Sequence, residues 1–148
     1  MSTTEQAVAA EGTALPDVIT GHIGGESVPV DAGATRHNVY FPGTGEQIAS
    51  LQEDDASTVA AAVSTARESF ERGAWSHAST ATRQTVFRNA AQLIRDHAEE
   101  LAVLECVCAG LPSSHLASRQ VPRAADNLDF FADYIGVMAG ETFQQLTG

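Results

Sequence analysis

The stretch EDDASTVAAAVSTARESFERG, residues 53–73, decides the fold class of this chain. Apolar side chains recur in it at helical spacing, at Val59, Val63, Ala66 and Phe70. Asp55 is a suitable N-cap, and Gly73 follows Arg72 at the C′ position, where a left-handed residue ends many helices. The pattern therefore predicts one helix between these two signals.

Three more helices are predicted after this one. The second begins near Thr80, with Val86, Ala90 and Ile94 on one face. Residues 96–99, DHAE, have the form of a capping box with Asp96 as the cap, so a third helix begins there and ends at Gly110-Leu111-Pro112. Its predicted apolar face consists of Leu101, Leu104 and Cys108.

The last predicted helix runs from Val121 to Ala139, with Pro122 in its first turn and Gly140 after its end. Its apolar stripe consists of Ala125, Leu128, Phe131, Ile135 and Met138. Phe130 and Tyr134, spaced i and i+4, form a second apolar strip. This strip is a candidate interface, with simple core packing as the equal alternative.

Short strands are predicted before the first helix. Val18–Ile23 and Ser27–Val30 flank Gly24-Gly25, which indicates a hairpin, and Pro29 favours an edge position. His37–Phe41 and Gln47–Leu51 flank the turn signal at 42–45, which indicates a second hairpin. Residues 1–16 lack periodicity and are interpreted as a flexible tail.

The composition limits the possible functions. The chain has 148 residues, 19 acidic and 8 basic, and a net charge of −11, which argues against nucleic acid and anionic membranes as partners. All 8 basic residues are arginine, so Schiff-base chemistry and a Walker-type phosphate loop are excluded. We expect no membrane span and no secretory signal, and therefore a cytoplasmic protein.

Candidate catalytic and metal-binding residues are weak. Cys106 and Cys108 cannot both face one ion from a helix, and a buried structural thiol at Cys108 is the simpler interpretation. Each of the five histidines lacks an identified partner for catalysis or metal binding. Residues 53–55, EDD, are better explained by helix capping than by a metal loop, and Trp75 is interpreted as a packing anchor between helices. Glu99, Glu100 and Glu105 are interpreted as a solvated face together with Arg95.

The predicted order is two hairpins, four helices and a terminal strand over 141–147 that has no ladder partner. Residues 17–148 therefore resemble an incomplete α/β region that needs another chain or segment.

The motifs resemble the N-terminal segment of the aldehyde dehydrogenase superfamily over about residues 19–146. IGGE at 23–26 and PGTGEQIA at 42–49 are similar to its early hairpins, and 59–70 is similar to its D-V-x-x-A-V-x-A-A-R-x-A-F helix. Residues 73–75, Arg83, 93–94, 100–105 and 140–142 follow in the family's order. The run 121–132 resembles the helix of the semialdehyde branch.

The sequence departs from the family pattern at three positions. Phe41 stands before Pro42 instead of Asn, Leu111 replaces the Lys of the family's G-K-P, and Arg119 lies about where an acidic residue is common.

The resemblance implies a fold that lacks the catalytic domain. In the family, the functional residues come later in the sequence than the segment that this chain matches. They are the catalytic Cys, the general-base Glu, the oxyanion-stabilising Asn, the cofactor-binding Lys and the Gly-rich cofactor turn. This chain alone is therefore expected to be inactive and to bind no cofactor. NAD or NADP is expected in an enzyme completed by a catalytic aldehyde dehydrogenase chain, as a hetero-oligomer. The interface candidates are Phe130, Tyr134, Phe143 and Leu146. The alternatives are a regulatory module that binds an intact dehydrogenase, or an inactive truncated fragment.

Overall fold

The computed structural model describes residues 15–143, in which short strands precede a set of helices. The strands are β1 (Val18–Ile19), β2 (His22–Ile23), β3 (Glu26–Ser27), β4 (Arg36–Tyr40) and β5 (Gln47–Gln52). The helices are α1 (Ala56–Arg72), α2 (Thr80–Asp96), α3 (Ala98–Ala109) and α4 (Val121–Tyr134), and α4 is preceded by a helical turn (Ser113–His115) and a π-helical segment (Leu116–Gln120). The predicted tail, 1–16, lies almost entirely outside the described residues.

The first predicted hairpin is confirmed only at its centre. β2 and β3 pair antiparallel around Gly24 and Gly25, whose φ angles of +65° and +95° suit glycine. Val18 instead pairs parallel with Ser50 of β5, so β1 belongs to a different sheet. The prediction that Val18–Ile23 is one strand was wrong. The strand is interrupted between β1 and β2, which pair with different strands in different sheets.

The second predicted hairpin is confirmed. β4 and β5 are antiparallel, and β5 is the central strand of a three-stranded sheet with β1 on its other side. The turn is closed by the Phe41 amide, which donates to the Glu46 carbonyl at 2.8 Å. Gln52 is buried on β5 and accepts from the Asp31 amide at 2.7 Å, which fixes the loop before β4.

Helix α1 has the predicted ends. The Asp55 carboxylate accepts from the Thr58 amide at 2.7 Å, and Gly73 adopts φ +79° while its amide donates to the Phe70 carbonyl. Both bonds satisfy backbone groups that a helix end leaves unpaired. The local sequence therefore determines where α1 begins and ends.

The predicted start of α2 is confirmed, but its predicted apolar face was partly wrong. Val86 is 47% exposed, whereas Ala91 is fully buried and Phe87, Ala90 and Ile94 are half-buried. The buried face is therefore rotated toward Phe87 and Ala91, because α4 packs there. Val86 and Leu93 instead form an exposed apolar strip on the other side of α2.

The predicted capping box at residues 96–99 was wrong. Asp96 is the last residue of α2, and its carboxylate accepts from the Gln92 side chain at 2.8 Å. His97 takes the N-cap position of α3 without a side-chain capping bond, and its Nδ1 lies 3.0 Å from the Glu100 carboxylate. The Asp96 carboxylate, which would have to accept from the first amides of α3 in a capping box, instead accepts from a side chain one turn earlier in α2.

The apolar face predicted for α3 was also partly wrong. Leu101 and Leu104 are half-buried as expected, but Cys108 is exposed, while Ala102 and Val107 are buried. Cys106, not Cys108, packs against the core, and both cysteines are free thiols. Helix α3 is apolar on most sides, so periodicity alone could not select its buried face.

Helix α4 ends at Tyr134, earlier than the predicted Ala139, and helical chain also precedes it. Pro122 lacks an amide hydrogen, so it cannot donate to the carbonyl of Ser118 one α-helical turn earlier. The chain before it adopts a π-helical segment, in which the Val121 amide donates to the Leu116 carbonyl. Ala125 and Leu128 point inward as predicted, whereas Phe131 and Met138 are 53% and 65% exposed, so their core assignment was wrong.

The main core cluster consists of Ala102, Leu116 and Val121, with Ile94, Ala98, Leu101 and Cys106 packed around it. It therefore joins α2, α3 and the start of α4. Within residues 15–143, every helix is too short or too polar to cross a bilayer. Of the predicted terminal strand, residues 141–143 are irregular and the rest lies outside the described residues.

Candidate functional site

The outward face of α4 is positioned by the packing of α4 against α2. Ala125 and Ala132 are fully buried in α4, and Gln84 of α2 donates to the Ala132 carbonyl at 2.9 Å. Small side chains let two helices approach closely. The line of contact between α2 and α4, called the seam below, therefore fixes the orientation of α4. This packing turns the opposite side of α4 away from the described core.

Ion pairs on α2 flank the same seam. Arg95 donates to Asp126 at 2.9 Å and to Asp129 at 2.7 Å, and Arg88 donates to Asp133 at 2.8 Å. The hydrogen bonds to Asp129 and Asp126 raise the pKa of Arg95 above its ordinary value. Arg95, Glu99, Glu100 and Glu105 are exposed, as the sequence predicts, and Arg95 pairs with carboxylates of α4.

The structure brings three aromatic side chains together on the outward face of α4. The rings of Phe130 and Tyr134 are nearly parallel, with centroids 6.0 Å apart, and Phe131 meets Phe130 edge-on at 5.3 Å. Their exposed fractions are 60%, 51% and 53% for Phe130, Tyr134 and Phe131. The outward face is thus apolar, although the inward face of the same helix already packs on α2.

The other two interface candidates are less well placed. Phe143 is 88% exposed and lies outside any regular element, and Leu146 lies outside the described residues. The structure therefore joins Phe130 and Tyr134 with Phe131, which the sequence had placed in the core. Their assignment as an interface stays a prediction.

Helix α1 presents a second uncovered apolar surface. None of its 17 residues is buried, and Val59, Val63 and Phe70 are 54%, 65% and 64% exposed. These are the side chains whose helical spacing predicts a buried face. The described residues contain too little structure to cover α1.

Trp75 packs against α2 after α1 has ended. Its ring is stacked on Phe87 with centroids 6.1 Å apart, and the Arg83 guanidinium lies 5.0 Å from its centroid. Arg83 also donates to the Trp75 carbonyl at 2.9 Å. These contacts fix the connection between α1 and α2.

Two clefts could be considered for a small ligand. One, of about 510 Å³, lies between the strands and the start of α1 and is lined by Asp31, Glu53, Asp54 and Asp55. The Oδ1 atom of Asp54 is buried without a hydrogen-bond partner, and hydrogen bonds from Thr58 and Ser57 lower the pKa of Asp55. Carboxyl groups at this density repel a pyrophosphate.

The second cleft, of about 600 Å³, is mainly apolar and lies between α2, α3 and the start of α4. Its lining includes Ile94, Leu101, Leu116 and Val121, with Glu105 as its charged group. A dinucleotide needs cationic or amide donors for its phosphates. Neither cleft offers an arginine, and the chain has no lysine, so these residues do not fit NAD or NADP.

The cysteines and histidines do not assemble into a site. Among residues 15–143, no three His, Cys, Asp or Glu side chains are grouped so that they could hold a metal ion. His37 lies 3.1 Å from Glu53 on the surface, an exposed pair.

The sequence reasoning did not recognise that Arg119, in the π-helical segment, and Arg123, in the first turn of α4, form a pair. Arg119 and Arg123 are exposed, and they lie one helical turn apart on the side that carries Phe130. Their i, i+4 spacing was a signal that could have identified them.

Comparisons with known proteins identify the architecture. The sequence profile of the Aldehyde dehydrogenase family matches residues 30–148. A betaine aldehyde dehydrogenase from Vibrio vulnificus is 34% identical over 125 residues, which are 84% of this chain and 25% of that protein. The 5-carboxymethyl-2-hydroxymuconate semialdehyde dehydrogenase from Escherichia coli is 32% identical over 110 residues, which are 72% of this chain and 23% of that protein.

A solved structure gives the same result. The P. syringae AldA indole-3-acetaldehyde dehydrogenase, in a complex with NAD+ and IAA, matches with a TM-score of 0.81 and 27% identity. The match covers 98% of this chain and 29% of that one. This chain thus spans about a quarter of the length of its curated relatives, and its α/β fold is the N-terminal part of theirs. The chain belongs to the aldehyde dehydrogenase family.

Proposed function

We propose that this chain is the non-catalytic N-terminal part of an NAD(P)-dependent aldehyde dehydrogenase, and that a second chain with the catalytic residues completes it as a hetero-oligomer. The completed enzyme would oxidise an aldehyde to a carboxylic acid. The observation that carries this proposal is α1, whose apolar side chains at Val59, Val63 and Phe70 are uncovered. Full burial of such a side chain from complete exposure contributes about 1.5–3 kcal/mol, and covering the part of each that is still exposed would contribute roughly half of that.

The helices α2 and α4 support the same proposal. Each has an apolar strip on the side facing away from their common seam, with Val86 and Leu93 on α2 and Phe130 and Tyr134 on α4. A helix that is apolar on two opposite sides is typical of an inner layer of a larger domain. The catalytic chain would supply the outer layers.

NAD or NADP would supply the hydride acceptor in the completed enzyme. Because the acidic cleft near Asp54 and the apolar cleft near Leu116 do not fit it, the cofactor would be held by the catalytic chain. The role of this chain is to bind and orient that chain through its helices. The free thiols of Cys106 and Cys108 support a reducing compartment, so we place the enzyme in the cytoplasm.

The resemblance of residues 121–132 to the semialdehyde branch favours a semialdehyde as substrate. The similarity to the semialdehyde dehydrogenase of Escherichia coli supports this branch, although other relatives act on different aldehydes. We therefore include semialdehydes first among the aldehydes to be tested.

The second candidate function is a regulatory module that binds an intact dehydrogenase through Phe130 and Tyr134. The stacked, exposed rings of α4 favour it. In that case the partner oxidises aldehydes by itself, and adding this chain changes its rate or its oligomeric state. An inactive fragment would do neither.

The test is reconstitution from separately purified chains. The second component is the chain, from the same source, that carries the later three quarters of the family sequence, including the nucleophilic cysteine. We expect neither chain alone to reduce NAD(P) with aldehyde, and the mixture to do so. Full activity of the second chain alone would favour the regulatory module, and an inactive mixture without complex formation would contradict both.

A further inference from the structure

The arginines of this chain differ in how they are engaged. Within residues 15–143, ion pairs with carboxylates engage Arg67, Arg88 and Arg95. Arg36 and Arg83 donate to backbone carbonyls. Arg72, at the end of α1, and Arg119 and Arg123 have no hydrogen bond or ion pair in the described part of the chain, although the protein has 19 acidic residues. Two neighbouring guanidinium groups are thus left free in an acidic protein.

The fold places these two arginines on the same side of one helical rod. Arg119 lies in the π-helical segment and Arg123 in the first turn of α4, and a spacing of four residues is about one turn in either helix type. Val121 and Ala125, which alternate with them along the rod, are buried on the opposite side. The arginines therefore face outward.

The strip continues along α4. Asn127, Phe130 and Tyr134 follow Arg123 at intervals of three or four residues, so they lie on the same outward side. All five side chains are exposed, and the aromatic pair is stacked at 6.0 Å. The outward strip of α4, defined as Arg119, Arg123, Asn127, Phe130 and Tyr134, is cationic at one end and aromatic at the other.

We propose that the outward strip of α4 binds the catalytic chain through a segment that places carboxylates opposite Arg119 and Arg123 and apolar side chains opposite Phe130 and Tyr134. This inference rests on the proposed function, because it names the surface by which the two chains recognise each other. Arginine pairs with carboxylates through two parallel hydrogen bonds, and arginine and tyrosine are enriched where interfaces gain most affinity.

Charge argues against a second copy of this chain as the occupant. Each copy carries a net charge of −11, and copies at that charge repel each other. A catalytic chain that presents an acidic, apolar segment to the outward strip of α4 would match both of its ends.

The experiment measures the dissociation constant of the complex of this chain with the catalytic chain, for the wild type and for R119E, R123E and the double variant. We expect each single reversal to weaken binding several-fold and the double reversal to weaken it by at least about tenfold, with less effect at high salt. R36E is the matched control, because it makes the same charge change on β4, where Arg36 has only a long bond of 3.4 Å to the Asp31 carbonyl.

A second pair of variants tests the aromatic end. The double variant F130A/Y134A should raise the dissociation constant of the complex by at least about tenfold at any salt concentration. Thermal unfolding of each variant confirms that it is folded. If the wild type binds the catalytic chain and the strip variants bind equally tightly, this inference is wrong and the proposed function stands. If the wild type does not bind, the proposed function itself fails.

Discussion

Helix α1 and the pair formed by α2 and α4 have similar sequence patterns but different packing. Both regions have apolar side chains at helical spacing. Helix α1 buries none of its residues, whereas α2 and α4 bury Ala91, Ala125 and Ala132 completely against each other. The difference separates the part of the family fold that packs within the described residues from the part, α1, that these residues leave uncovered.

The largest effect is expected from a substitution in the packed region. Leu116→Ala removes a fully buried side chain from the cluster that joins α2, α3 and α4, and should lower the free energy of unfolding by about 2–5 kcal/mol. Urea unfolding measures this change. Phe70→Ala on α1 is the matched control, because its ring is 64% exposed, and it should change the stability of the isolated chain by less than about 0.5 kcal/mol.

A charge placed on α1 tests whether this helix is covered in the complex. Val63→Asp should be tolerated by the isolated chain, because Val63 is 65% exposed. In the complex it would leave a buried, unpaired carboxylate, so affinity for the catalytic chain should fall by at least about tenfold. Titration calorimetry measures the affinity, and an unchanged value would show that α1 is not covered in the complex.

The sequence predicted the ends of α1 because each depends on one nearby residue. Asp55 accepts from the amide three residues later, and Gly73 supplies a positive φ, and both requirements are local. The resemblance to the aldehyde dehydrogenase family was likewise predictable, since the order of its motifs survives in this segment.

The buried faces were harder to predict, because they depend on which helix lies opposite. Phe131 was assigned to the core by spacing, yet α4 packs on α2 through the smaller Ala125 and Ala132, which turns Phe131 outward. Cys108 was misplaced because α3 is apolar on most sides. In each case the partner surface, rather than the local pattern, selects the buried residues.

A moderate effect is expected at the edge of the α2–α4 seam. Arg95→Met removes the ion pairs with Asp126 and Asp129 but keeps a side chain of similar length. Because the pairs are on the surface, the midpoint of thermal unfolding should fall less than in Leu116→Ala. High salt should reduce the difference between this variant and the wild type, and a salt-independent difference would mean that packing, not charge, is responsible.

The smallest effect is expected at the N-terminus of α1 as the pH changes. Folding lowers the pKa of Asp55 below 3.8 through hydrogen bonds from Thr58 and Ser57, so its stabilising effect is present above about pH 4 and is lost as the pH falls through the lowered pKa. Circular dichroism should show a loss of helix at low pH that is smaller in Asp55→Asn, since asparagine caps a helix without titrating. An identical pH profile for the two proteins would contradict this role.

Native mass spectrometry of the untagged protein, purified from its source, tests the central claim most directly, because it counts the chains in the assembly. The account predicts a mass that includes this chain together with a separate chain carrying the catalytic part of the family, in an assembly that oxidises aldehydes. A stable species with the mass of this chain alone, without an aldehyde dehydrogenase partner, would contradict it.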